Sequence, residues 1–448
     1  MCDRLNRRKF MERAAAIGGA AGLSTVWAGE SKAVTGEPAK PIGTAKGIYP
    51  GRVVWVHDPS ITTWKGPGDG RWYEGDRTRQ DRADAMVLRA VCELTNESTA
   101  AAAWDKLFRH FNKSRGKGDT AYQAGQKIVI KPNWVGMIWR EGAVDPDTYK
   151  LIKRQDYMNT SPQMIIAVMR QLVGAIGVRP RDIMVCDSLA YLVHEYYDIL
   201  KRDFPDSQYS DYAGRFDRIQ VANSPISLYW SCRPEGVSPD FLPSCIAETD
   251  YMINFASLKA HTATGVTLCG KNHFGSLVRW PVQAGYYDMH RASFAKRWGA
   301  YREQVDLMGH AHLGGKTMVY LIDGIYSGKH PVDPVPRRWA SPPFSGSWTC
   351  SLLASQDPVA VDSVGLDFLQ AEWDDFPRQP GVDDYLREAA LAHDPPSGTF
   401  YDPNHAAPTE RLASLGVHEH WNNASEKKYS RNLGSGEGID LVSVDARA

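Results

Sequence analysis

The sequence predicts an α/β fold, a mainly parallel sheet with helices on both faces, and three observations predict it. Short β-branched apolar runs recur along the chain, each closed by turn residues. Segments with apolar residues at helical spacing lie between several of them. Polar, glycine-bearing stretches follow the runs, and the carboxyl ends of strands are where a doubly wound sheet binds its ligands.

The elements follow in order. "RVVWVHD" (52–58) reads as a buried strand, and "ADAMVLRAVCELT" (83–95) as a helix. "QKIVIKPNW" (126–134) is a second strand, stopped by Pro132, which cannot donate to a ladder. "SPQMIIAVMRQLVGAIG" (161–177) predicts a helix with Ser161 as cap, Pro162 in the first turn and Gly177 at its end. "DIMVCDS" (182–188) is a third strand, "YDILKRDF" (197–204) a short helix and "RIQVANS" (218–224) a further strand. "DYMINFASLK" (250–259) and "KTMVYLIDGI" (316–325) are two more. "WTCSLLASQDPVAVDSVGLDFLQAEW" (348–373) reads as strand, loop and helix, whereas the proline-rich 331–347 is a loop. Such alternation of strands and helices favours parallel pairing. The α/β domain is therefore expected over residues 51–375. A loop-rich C-terminal extension, 376–448, is expected to pack on the same domain, with "GIDLVSVD" (438–445) as its strand.

The amino terminus predicts location. "NRRKFMERAAAIGGAAGLSTVWAGE" sets Arg7 and Arg8 before a weakly apolar stretch with small residues at Val26 and Ala28. That is the layout of a twin-arginine signal peptide over residues 1–28, followed by a tether over 29–50. The chain is therefore expected to pass the twin-arginine translocase and to work in the periplasm or outside the cell. The apolar stretch is too short and glycine-rich to span a bilayer, so a mature protein without a membrane span is expected. The twin-arginine route carries folded proteins, which raises the expectation of a cofactor.

Lys plus Arg equals Asp plus Glu, 52 each, which removes the global field that would recruit nucleic acid. Of seven cysteines, Cys2 falls in the signal. The other six never reach C-x-x-C spacing, so neither an iron–sulfur cluster nor a zinc knuckle is expected. Cys232 and Cys245 are the closest pair in sequence.

The residues behind the strands supply the candidate site. They are Lys131 and Asn133, then Asp187 and Ser188, then Lys259 and His261 with Lys271, Asn272 and His273 beyond, then Asp323, and finally Asp357. Lysines beside carboxylates, amides and histidines suit a small anionic or polyhydroxy ligand, with a metal or a proton relay also open. The densest stretch is "LKAHTATGVTLCGKNHFG" (258–275), whose Gly265, Gly270 and Gly275 permit close backbone approach. It lacks both the phosphate-loop and the dinucleotide fingerprints, which argues against an ordinary NTPase or NAD enzyme. His261, Lys259, Lys271 and Asp187 are the expected catalytic groups, by histidine-assisted proton transfer. Lys131, Asn133, Ser188, Asn272, His273, Asp323 and Asp357 are the expected binding groups. His290, His310 and His312, in "YYDMHRASF" and "GHAHLGG", are candidate metal ligands, while His418 and His420 of "GVHEHW" read as solvent-facing. The rival class is a non-catalytic periplasmic ligand-binding or cofactor-carrying protein.

"VIKPNWVG", "VCDSLA", "LKAHTATGVTLCGKNHFG", "LIDGI" and "DPVAVDSVGLDFL", in this order, resemble the family called domain of unknown function 362 over roughly residues 51 to 373. Many members carry an iron–sulfur domain; without C-x-x-C this sequence departs from them. A shorter stretch, "HTATGVTLCGK", is similar to a segment of the lactate racemase family. That likeness implies His261 as acid/base, Lys271 as the anchor of a nickel-pincer nucleotide, and His290 or His310 as a later histidine ligand.

Overall fold

A computed structural model describes residues 40–232, 238–278, 287–290, 297–329, 333–375, 377–406 and 408–446. The signal peptide expected over 1–28 lies outside the described residues. From Lys40 onward the described residues belong to one compact unit, so the C-terminal extension is part of the main body.

Ten strands make the central sheet: β1 (Arg52–His57), β2 (Ile128–Pro132), β3 (Ile183–Cys186), β4 (Gln208–Asp211), β5 (Ile219–Gln220), β6 (Tyr251–His261), β7 (Gly265–Thr267), β8 (Thr317–Gly328), β9 (Ser351–Ser355) and β10 (Asp440–Asp445). The order is β10-β1-β9-β8-β6-β2-β3-β4-β5, with β7 folded back on β6. Six neighbour pairs are parallel, while β9 runs against both β1 and β8. Two reversals restore β1 to the direction of β8, so β1, β2, β3, β6 and β8 all end at one edge.

Period-2 alternation divides the strand residues between the two faces of the sheet. Val54, Val56, Ile130, Val185 and Phe255 pack on the face covered by α1 (Gln80–Thr95), α2 (Ala100–Ser114) and α3 (Pro162–Ile176). Val53, Trp55, Ala256, Leu258 and Leu353 face α4 (Pro358–Glu372) and α5 (Asp384–Ala390). Helices therefore do cover both faces. The caps of α3 match the sequence: Ser161 Oγ accepts from the Met164 N–H, and Gly177 takes the left-handed conformation at φ +80°.

Two expectations need correction. Residues 29–39 of the expected tether lie outside the described residues, and its described end is docked, because Ile42–Gly43 pairs antiparallel with Val417–His418. In addition, the Lys46 N–H donates to Asp357 Oδ2 at 2.9 Å. Second, "RIQVANS" splits. Ile219–Gln220 is the sheet's last strand, while Asn223–Leu228 turns away into a hairpin with Asp240–Pro243.

Candidate functional site

At the shared carboxyl edge a cleft of about 160 Å³ is lined by Lys131, Asn133, Asp187, His261, Lys271, Asn272, Gly275 and His290. Glu141, Arg154 and Thr267 complete its polar lining, against apolar walls that include Val135, Ile138, Leu189, Phe274 and Met289.

The floor is a buried polar network that joins three strand ends. Lys131, 1% exposed, points its ammonium at Pro132 O (2.6 Å), Asp187 Oδ2 (3.2 Å) and Asn272 Oδ1 (3.2 Å). Asp187 also accepts the N–H groups of Trp134 and Leu189. Asn272 donates to Lys131 O and to Asn254 Oδ1, and accepts from Asn133 Nδ2. Every one of these charges is compensated, which is the condition for keeping an ion pair in a buried place. Asn133 Oδ1 is the exception, buried at the cleft without a partner among the described residues.

The glycine-bearing stretch is less of a loop than the sequence suggested. Strand β6 runs on to His261, turns through Gly265 at φ +85°, returns as β7 and enters the short helix Cys269–Asn272. Gly275 is needed for space: a Cβ there would stand 2.8 Å from Lys131 Nζ and 2.9 Å from Asp187 Oδ1. Asp362, on α4, holds the helix start. Its carboxylate accepts the N–H groups of Cys269 and Gly270 at 2.8 and 2.9 Å, and the hydroxyl of Tyr385 at 3.1 Å. Burial pushes Asp362 up to about 7, with those donors pulling it back.

His261 sits at the cleft with its Nδ1 accepting the N–H groups of Ala263 (3.0 Å) and Thr264 (3.2 Å). The proton of the neutral ring is therefore assigned to Nε2. Protonating Nδ1 would set a third N–H against those two, so this ring is arranged as a donor. Lys271 lies over the Phe274 ring at 3.7 Å, with its ammonium 3.4 Å from His290 Nε2. Arg154, at φ +57°, reaches Glu141 at 3.3 Å.

The remaining expected site residues fall elsewhere. Lys259 is wholly buried in β6, donating to Met158 O at 2.7 Å over the Tyr157 ring. Burial depresses it well below the ordinary lysine range; Asp187 and Asp323 pull it partway back. It stands behind the cleft wall because the strand continues past it. Ser188 is buried, its N–H tied to Gly275 O. His273 is buried beneath the cleft, taking a hydrogen bond from Asn254 Nδ2, and burial with Lys131 nearby lowers it to about 3. Asp323 is used on the N–H groups of Ser161 and Ile325.

Asp357 lies at the opposite edge, because β9 runs antiparallel. There it accepts the N–H groups of Val359, Ala360, Lys46 and Val417. Of the three candidate metal histidines only His290 lines the cleft. His310 is buried elsewhere with both nitrogens committed: Nε2 to Ser227 O, and Nδ1 to the His312 N–H. The three do not form one ligand set.

Glu141, Arg154 and Asp362 were missed by reading strand ends. The first two come from the long connection between β2 and α3, and the third from inside a helix. Only Asp362 carried a signal, an acidic residue interrupting an apolar helix in "DPVAVDSV".

Among the described residues no helix is long and apolar enough to cross a membrane. A family model described as a domain of unknown function, DUF362, matches residues 128–367. No curated protein matches the chain.

Proposed function

The chain belongs to the DUF362 family, and on that premise we propose that it is an enzyme acting by proton transfer on a small anionic or polyhydroxy substrate in the cleft at the strand ends. One observation carries the reading: Lys131, Lys271 and Arg154 share a single cleft with Asn133, Asn272, His261 and His290. A cavity of about 160 Å³ is close to the roughly 150 Å³ that holds a benzene-sized molecule. Lys271 and Arg154 hold the charge of such a substrate through charge-assisted hydrogen bonds, and Lys131, whose three N–H groups are already committed, adds only its field. The Nε2–H of His261 is a donor for an oxygen that gains negative charge, and His290 is the group left to exchange a proton. Export by the twin-arginine route, to the periplasm or beyond, is part of the same proposal and rests on residues 1–28 alone.

A second reading is a nickel-pincer racemase or epimerase. It is favoured by one observation: His261, Lys271 and His290, which that resemblance singles out, line the same cleft. It ranks second because a nucleotide cofactor together with a substrate needs more room than the cleft provides.

Thermal-shift screening against small carboxylates, sugar acids and sugar phosphates tests the leading reading. Some of these should stabilise the wild type, should fail to stabilise a folded Lys271→Ala variant, and should still stabilise His290→Gln while turnover is lost, because glutamine cannot exchange a proton near neutral pH. A wild type that answers to none of them, or a Lys271→Ala variant that answers equally, would overturn it.

A further inference from the structure

Away from the cleft, three side chains that the sequence scattered over 38 positions come together: Asp383, just before α5, His418 at the end of its short strand, and His420. His418 and Asp383 are buried, contrary to the solvent-facing reading, and His420 is partly so. Their candidate ligand atoms all lie within 4.8 Å of one another.

Hydrogen bonding fixes what each ring presents. Ser363 Oγ gives its proton to Val359 O at 2.7 Å. Toward His418 Nδ1, at 2.9 Å, it can therefore only accept. His418 then carries its proton on Nδ1, and its Nε2 is a bare lone pair. That Nε2 is buried without a hydrogen-bond partner among the described residues, 3.5 Å from Asp383 Oδ2. His420 Nδ1 donates to Asp367 Oδ1 at 2.5 Å, which turns its Nε2 to the same Asp383 oxygen at 3.2 Å. Asp367 is itself held by the Trp421 N–H and the Tyr429 hydroxyl. In the neutral rings, two imidazole lone pairs and a carboxylate oxygen thus face a common point with no proton between them.

We propose that Asp383, His418 and His420 form a binding site for a first-row divalent cation of the zinc type. Two atoms about 2.1 Å from one ion at a tetrahedral angle lie about 3.4 Å apart, which is the spacing of Asp383 Oδ2 from each Nε2. Two histidines and one carboxylate are a common ligand set for such ions and leave one position for water or substrate. Each histidine has the outer partner that orients a metal ligand, Ser363 for one and Asp367 for the other. Arg387 Nε also reaches Asp383 Oδ2, at 3.2 Å, and is the cation with which a metal would share that carboxylate. The competing account is a metal-free clamp in which protonated His420 bridges Asp367 and Asp383.

The test uses the full chain, stripped with a chelator and titrated with cobalt(II) and then zinc near neutral pH. One ion per chain should bind, with the visible bands of four-coordinate cobalt, and zinc should displace it. His418→Ala and His420→Ala should abolish binding, and Asp367→Asn should weaken it about 10- to 100-fold. Spectra of the wild type decide the matter even where a variant does not fold. No bound cobalt would overturn the proposal in favour of the clamp. A thiolate-to-cobalt charge-transfer band would also overturn it, pointing to Cys186 and Cys245, whose sulfurs are 3.0 Å apart.

Discussion

Gly275→Ala adds one methyl group, and its effect can be worked from distances. The new Cβ would lie 2.8 Å from Lys131 Nζ, 2.9 Å from Asp187 Oδ1 and 3.0 Å from Lys131 Cε. A lysine terminus usually swings aside at little cost, but this one is 1% exposed and held by three acceptors. Overpacking a filled interior costs about 1–3 kcal/mol, and separating a buried ion pair about 3–5 kcal/mol. A loss of about 2–4 kcal/mol is expected, since the pair can shift partway before it breaks. Gly174→Ala provides the control. That glycine is exposed in α3 without positive φ, and a Cβ there meets nothing within 4 Å. The same methyl should stabilise there by about 0.4–1 kcal/mol. Urea unfolding followed by tryptophan fluorescence measures both. A Gly275→Ala protein within about 0.5 kcal/mol of wild type, the range of ordinary surface changes, would refute the crowding argument.

Three further outcomes are expected. Burial lowers His310 to about 4, so the unfolded chain takes up a proton first. The stability held above about pH 6.5 is lost as pH falls toward 4. His310→Gln, which keeps a donor for Ser227 O, should flatten that slope by up to about 1.4 kcal/mol per pH unit in acid-unfolding curves. Replacing both Arg7 and Arg8 by lysine should hold the precursor in the cytoplasm, read by cell fractionation, because the receptor recognises paired guanidinium groups. Under oxidising conditions Cys186 should link to Cys245, and peptide mapping without reductant would find that pair in place of Cys232–Cys245.

The buried strands were legible because their runs of valine and isoleucine suit only the middle of a sheet, and β1, β2, β3, β6 and β8 form where those runs stand. The mainly parallel pairing was legible, but the direction of one strand was not. β9 has the composition of its neighbours and runs the other way, and that reversal is what carries Asp357 to the far edge. The Ala-rich α2 went unread although Thr99 caps it, since a run of four alanines gives a weak period. At the site, Lys131, Asp187, Lys271 and Asn272 followed from the strand-end rule. Lys259 misled because a strand's length decides whether its last lysine reaches the edge, and β6 continues to His261. The Asp383–His418–His420 group was hidden because its members meet only through the packing of α5 against the C-terminal segment.

The position of β1 has a consequence for how the chain is made. Its two neighbours come from far downstream: Ser355 Oγ bonds Arg52 O across 303 residues, and Arg52 pairs with Asp440 across 388. During synthesis "RVVWVH" therefore emerges with both hydrogen-bonding edges bare, and stays so until most of the chain has left the ribosome. Such a segment, β-branched and nearly uncharged, is a template for pairing with other chains. Completion of the sheet must also wait for contacts of very long sequence separation, which close slowly. The nascent protein is thus most exposed to aggregation through its first strand, and a chaperone that covers residues 52–57 would protect it through that interval.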